Sequence, residues 1–136
     1  MQLNPYLSFN GTCEEAFKLY QECLGGTIQS MMKWSESPMA DQMPPELGGK
    51  IMHASLTAGE TALLGADASP DRYEAPKGFY VAIQIEDTAD AERIFQKLAE
   101  GGMVEMPLQQ TFWAKRFGML TDRFGINWMV NCGDAG

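Results

Sequence analysis

The chain has a single histidine, His53, and only ten Lys and Arg against eighteen Asp and Glu. No Gly-rich phosphate loop, HExxH, GxSxG or Ser/His/Asp grouping is present, which removes the common phosphate-binding, zincin and serine-hydrolase patterns. The shortage of cations leaves a formal charge of -8 with no basic stripe to reverse it locally, so nucleic acid is not an expected partner. Three cysteines, Cys13, Cys23 and Cys132, lack CxxC or paired spacing. Cys13 and Cys23 would stand about 15 Å apart along one helix, too far for a disulfide, so reduced thiols and a cytoplasmic location are expected. No apolar run approaches the roughly 20 residues that cross a bilayer. The opening Met1-Gln2-Leu3-Asn4-Pro5 has neither the basic nor the apolar region of a signal peptide, so no membrane partner is expected.

What is present suits one α+β domain over residues 1–136. Hydrophobic residues make up 45% and charged residues 21%, an ordinary globular balance that can build a core without metals or disulfides. Ten methionines favour a plastic core or pocket lining. Thr12 with Glu15 predicts a capping box, and Ala16, Phe17, Tyr20 and Leu24 form the apolar stripe of a helix that Gly25-Gly26 ends. Asp87 or Thr88 begins a second helix with Ala91, Ile94, Phe95, Leu98 and Ala99 as its stripe, and Gly101-Gly102 ends it. Thr12 and Thr88 lie 76 positions apart (88 less 12), as do Gly25 and Gly101 (101 less 25), which suggests duplication.

Each helix follows one predicted strand and precedes three. Strands are expected at 3–9, 27–34, 50–57 and 60–65, with Ala58-Gly59 as a hairpin turn. In the second half they are expected at 79–85, 103–108, 114–121 and 126–131, with Asp122-Arg123-Phe124-Gly125 as the last turn. Module one therefore covers about 1–66, a linker about 66–78, and module two about 79–133. The segment 35–49 carries Pro38, Pro44 and Pro45 with Met39 and Met43, and reads as a lid or as a surface loop resting on the core. Cys13, at a helix start, is a candidate for a lowered thiol pKa.

Asn4-Pro5-Tyr6-Leu7-Ser8-Phe9, Cys13-Glu14-Glu15-Ala16, Ile51-Met52-His53-Ala54 and the run from Phe117 to Met129 resemble PhnB-like proteins. These belong to the glyoxalase/bleomycin-resistance/dioxygenase class, the vicinal oxygen chelate superfamily. The resemblance implies two βαβββ modules, each a curled mixed half-barrel sheet with its helix on the convex side. It also implies a concave pocket where enzymes of the class hold a divalent metal through His, Gln or Glu. Carried onto this chain, the ligand positions become Pro5 or Tyr6, Tyr80, Leu63 or Leu64, and Met129, none of which suits a hard or borderline divalent ion.

No cofactor and no catalytic or metal-ligating residue is therefore expected. Period-two alternation groups His53 with Ile51, Ser55 and Thr57, and sets Tyr80, Ala82 and Gln84 against Phe79, Val81, Ile83 and Ile85. The expected pocket comprises Tyr6, Ser8, His53, Tyr80, Gln84, Asn127 and Met129, with Trp34 at its rim. Filler of the half-barrels is the competing reading of the same residues. The functional expectation is a small-molecule binding protein, similar in kind to bleomycin-resistance proteins. A metal-dependent lyase, isomerase or dioxygenase, or a dimeric interaction module, is the alternative. Trp34, Phe112 and Trp113 suggest a homodimer seam.

Overall fold

The first apolar stripe winds into helix α1 (Cys13–Leu24) in the computed structural model of the chain, which describes residues 1–134. Cys13, Ala16, Phe17, Tyr20 and Cys23 are its buried residues. Thr12 makes no side-chain cap bond, so the expected capping box does not form. The cap comes from Asp67, 54 residues away, whose Oδ1 accepts the Cys13 backbone N–H at 2.9 Å. Its Oδ2 accepts the Ile51 N–H at 2.8 Å. Asp67 is buried, and a carboxylate withdrawn from water is tolerated only where such partners meet it. Gly25 then ends the helix in the left-handed conformation, with φ 72°.

The chain divides into two units, Met1–Glu74 and Ala75–Gly136. In the first, strands β1 (Tyr6–Phe9), β2 (Thr27–Lys33), β3 (Ile51–Ala58) and β4 (Thr61–Asp67) form a sheet in the order β1-β4-β3-β2. β1 runs parallel to β4, and the other neighbours are antiparallel. Leu7, Phe9, Ala54, Leu56 and Leu63 form the sheet's buried side. The rings of Phe9, Phe17 and Tyr20 meet there at centroid distances of 6.0 to 6.5 Å. Burying each of these large side chains contributes about 1.5–3 kcal/mol, so the helix stays on this face through packing as well as through its cap.

Three expectations about β3 and β4 need correction. The register steps from Met32↔His53 to Lys33↔Ile51, which leaves Met52 as an extra, bulged residue. The bulge turns Ile51 to the buried side and separates it from His53, with which plain alternation had grouped it. The hairpin turn is Gly59-Glu60, because Ala58 already pairs with Thr61. Strand β4 also runs to Asp67, beyond the expected end at 65, and so carries the Asp67 cap into the sheet. Strand β1 is shorter than expected, and Leu3 is exposed.

The segment expected as an irregular loop contains three short 3₁₀ turns, Trp34–Glu36, Ala40–Gln42 and Pro45–Leu47. Leu47 is buried and pins it. Backbone bonds from Trp34 to Lys50 O (2.9 Å) and from Ser35 to Gly48 O (3.0 Å) close its base.

The second unit repeats the plan. Helix α2 (Thr88–Ala99) has the same 12-residue length as α1 and begins 75 positions later (88 less 13). Asp87 caps it by accepting the Ala89 N–H at 3.1 Å. Strands β5 (Val81–Ile85), β6 (Met103–Gln109), β7 (Arg116–Thr121) and β8 (Asn127–Cys132) form a sheet in the order β5-β8-β7-β6. Gly26 and Gly102 occupy matching places: a Cβ on either would lie 2.2 Å from the carbonyl oxygen of Thr57 or Thr121. The glycines after each helix therefore stop it and also let the chain pass tightly over the end of a strand. In the last turn Asp122 Oδ1 accepts the N–H groups of Phe124 (2.9 Å) and Ile126 (3.0 Å). Its Oδ2 accepts the indole N–H of Trp128 at 2.8 Å.

Candidate functional site

On each sheet the face turned away from the helix carries the polar and aromatic side chains that alternation leaves outside the core. In unit one the register lines up Tyr6, Leu64 and Ser55 across β1, β4 and β3, with Ser8 two residues along β1. Tyr6 and His53 approach with ring centroids 6.3 Å apart and planes tilted by 37°. Tyr6 is more than half exposed and His53 is half-buried. Partial burial, and secondarily the nearby Cys13, raise the Tyr6 phenol above its usual value, so it is a proton donor at neutral pH. Among the described residues the polar groups of Tyr6, Ser8 and His53 have no hydrogen-bond partner in the protein.

Unit two differs. Tyr80 precedes edge strand β5 and Glu105 lies on the opposite edge strand β6, yet the Tyr80 hydroxyl donates to Glu105 Oε2 at 2.6 Å. Edges of a flat four-stranded sheet stand about 14 Å apart, so this bond reports the curl of the sheet. A bulge between Val104 and Met106 frees Glu105 from the ladder and lets it turn toward Tyr80. The bond to Glu105 is the main cause raising the Tyr80 pKa, because it stabilises the protonated phenol.

Asn127 is likewise engaged: its Nδ2 donates to Pro76 O at 3.0 Å and Phe79 O at 3.3 Å, and its Oδ1 accepts from Thr121 at 2.7 Å. It ties the incoming chain to the start of β8. Gln84 Oε1 accepts from Asn131 Nδ2 at 2.8 Å, while Asn131 Oδ1 is buried without a partner. Met129 is half-buried between Ala82 of β5 and Met119 of β7.

The eight expected pocket residues therefore fall into three groups. Tyr6, Ser8 and His53 share the open face of unit one. Tyr80, Gln84, Asn127 and Met129 belong to unit two, where the first three are bound to neighbouring groups. Trp34 lines a separate cavity formed by its own loop and the segment after β4. The cap by Asp67 and the bond between Glu105 and Tyr80 are not foreseen in the sequence, because the partners are far apart along the chain and no periodicity marks them. Cys13 departs from the expected low pKa: burial, then Asp67, then Glu14 push its thiol well up. The Asp67 carboxylate takes the helix N–H that would otherwise favour a thiolate.

The donor chemistry does not fit a divalent metal. Tyr6, Leu64, Tyr80 and Met129 offer a protonated phenol, a hydrocarbon, a second phenol already bonded, and a thioether. Among the described residues no three His, Cys, Asp or Glu side chains come together in a way that could hold a metal ion. No helix of the structure is long and apolar enough to cross a membrane.

Residues 2–130 match the glyoxalase/bleomycin resistance protein/dioxygenase superfamily. Protein YjdN of Escherichia coli (strain K12) is 34% identical over 139 residues, covering 96% of this chain and 95% of YjdN. The crystal structure of protein PA1353 from Pseudomonas aeruginosa is 49% identical, with a TM-score of 0.90 and 98% of each chain covered. The PhnB protein of Bacillus cereus shares the fold at 24% identity, with a TM-score of 0.83 over 98% of this chain and 100% of that one. With the match spanning nearly the whole chain, the protein belongs to the glyoxalase/bleomycin resistance protein/dioxygenase superfamily.

Proposed function

We propose that this protein binds a small molecule on the open face of its first unit, without a resident metal. One observation carries the reading. Tyr6, Ser8 and His53 keep their polar groups unpartnered on a partly apolar face, while Tyr80, Gln84 and Asn127 of the second unit are bound to their neighbours. A few convergent polar groups on an apolar surface are what orient a small ligand. The tilted Tyr6 and His53 rings suit a planar body, and the phenol and hydroxyl supply directional bonds at its edge. A lyase, isomerase or dioxygenase of the same superfamily would need a ligand set that these faces do not supply.

The single histidine makes the test direct, because it gives one set of imidazole resonances. Aryl amides and phenols that raise the melting temperature should move the His53 signals, and Tyr6→Ala should abolish both effects while leaving the fold intact. Stabilising compounds that leave His53 unmoved, or that act equally on Tyr6→Ala, would overturn the assignment.

A further inference from the structure

Strand β2 forms one edge of the first sheet and pairs with β3. Its Met32 stands opposite His53, and residues paired in this way share a face with their Cβ atoms about 4.5–5.5 Å apart. Beside them Met52 is the extra residue of the bulge. A bulge sets two residues of one strand against one of the other, so Met52 and His53 together oppose Met32. Two thioethers and an imidazole are thereby gathered on a sheet edge. Met32 is 38% exposed, and Met52 and His53 are half-buried, so the group is within reach of solvent.

The imidazole is free to take an ion. Among the described residues the His53 ring nitrogens have no hydrogen-bond partner. The Tyr6 ring that His53 meets comes from β1, at the opposite edge of the sheet from Met32. The two lysines nearest along the chain are engaged elsewhere. Lys33 pairs with Ile51 on the buried side, where it adds to Lys18 in holding the Glu14 carboxyl of α1 below its usual value. Lys50 donates to the Gly11 carbonyl oxygen at 3.2 Å. The chain's charge of -8 favours a cation at long range.

We infer that Met32, Met52 and His53 form a site for a soft monovalent cation, copper(I) or silver(I), at the β2 edge of the first sheet. Thioethers select such ions and are passed over by hard and borderline divalent ones. Zinc asks instead for imidazole, thiolate or carboxylate in a fourfold array, which this edge does not offer. With Met32 exposed, the ion exchanges with solvent and is not a resident cofactor. The site uses none of the positions at which the superfamily's divalent ligands would fall. Nor does it rest on the small-molecule reading, since Tyr6 and Ser8 take no part in it.

Magnetic resonance of the full chain with labelled methionine methyl groups tests this, using silver nitrate in chloride-free buffer as a redox-inert probe. One equivalent should move the His53 imidazole signals and the Met32 and Met52 methyl signals together, and zinc should move neither methyl. Met32→Leu and Met52→Leu assign the two methyls while keeping side-chain volume. Each should weaken silver at least about tenfold, as should His53→Ala, because loss of even a supporting group costs about 10–100-fold in metal affinity. Tyr6→Ala, the variant that should abolish small-molecule binding, should leave silver unaffected, so the two readings fail separately. The three cysteines are buried, and silver held by them instead would leave the methyls and the imidazole unmoved. Circular dichroism establishes that each variant is folded, and the two leucine variants decide the matter if His53→Ala does not fold. The inference is overturned if silver leaves these signals unmoved, if either leucine variant binds silver as tightly as the wild type, or if zinc moves the same methyls.

Discussion

Asp122 offers a demanding test of how the second unit is held together. Its carboxylate is buried and accepts at least three donors, among them the N–H groups of Phe124 and Ile126 and the indole of Trp128. Removing this buried acceptor strands its neutral donors at about 1–3 kcal/mol each, several kcal/mol together. A domain of this kind has about 5–15 kcal/mol in total, so Asp122→Ala should stand close to unfolding. Asp122→Asn is more informative because it keeps the shape. One end of an amide can still accept, but the other is an NH₂ group. Whichever way it is turned, a donor faces either Trp128 Nε1–H or the turn's backbone N–H groups.

That mismatch should cost about 2 kcal/mol. Urea unfolding of Asp122→Asn, Trp128→Phe and the double variant closes a cycle. In the Trp128→Phe background the amide can turn its NH₂ toward the vacated position, so the Asp122→Asn loss should shrink by about 1 kcal/mol or more. A loss below about 0.5 kcal/mol for Asp122→Asn, or strict additivity in the cycle, would refute the assignment of this carboxylate as a three-donor anchor.

The other predictions are simpler. All three cysteines are buried, and burial raises the Cys13 and Cys132 thiols, so a disulfide reagent should find almost no reactive thiol at neutral pH until the protein is unfolded. Rapid native labelling of Cys13 would contradict its burial. Glu105→Gln should lower the Tyr80 pKa toward that of free tyrosine, read by difference absorbance against Tyr80→Phe. A raised phenol pKa stabilises the fold below the unfolded value near 10 and ceases to do so as pH climbs through the folded value, so the contribution should disappear only in strong alkali. The exposed Phe112 and Trp113, next to the open edge of β6, should be covered by a second copy of the chain, and sedimentation equilibrium showing only a 15.0 kDa species at micromolar concentration would exclude that dimer. Elemental analysis of protein purified without chelators should find no stoichiometric manganese, iron, nickel or zinc. A full equivalent lost on His53→Ala would revive the enzyme reading.

Much of the architecture was legible because it is written locally. The stripes at Ala16, Phe17 and Tyr20 and at Ala91, Ile94 and Phe95 fix two helices by contacts three and four residues apart, and both formed where expected. Strand positions followed the period of two with errors at their ends. The features that escaped depend on partners distant in sequence. Nothing near Thr12 announces that Asp67 will cap α1 from 54 residues away. Nothing in Ile51-Met52-His53 announces a bulge, which arises because β2 and β3 must stay paired while both bend. For the candidate site, alternation set Tyr6, Ser8 and His53 apart from the buried side chains but carried no information on which polar groups would meet partners.

The two units differ in how the side chains of their exposed faces are paired. They share element order, sheet topology and the placement of Gly26 and Gly102, so the backbone alone makes no distinction between their open faces. The difference lies in side chains. In the second unit the Tyr80 phenol meets a carboxylate, Asn127 meets backbone carbonyls and a hydroxyl, and Gln84 meets the Asn131 amide, so most of the polar groups on that face are bonded within it. A ligand there would have to break bonds already made before forming its own, and its net gain would be small. In the first unit Tyr6 and His53 meet only ring to ring, so the ligand proposed there would break no such bond. After a duplication, one copy can be kept rigid while the other stays open to exchange its hydrogen bonds. Here the side-chain pairing leaves Tyr80, Gln84 and Asn127 bonded in the second unit and Tyr6, Ser8 and His53 unbonded in the first, which is what the proposed binding face rests on.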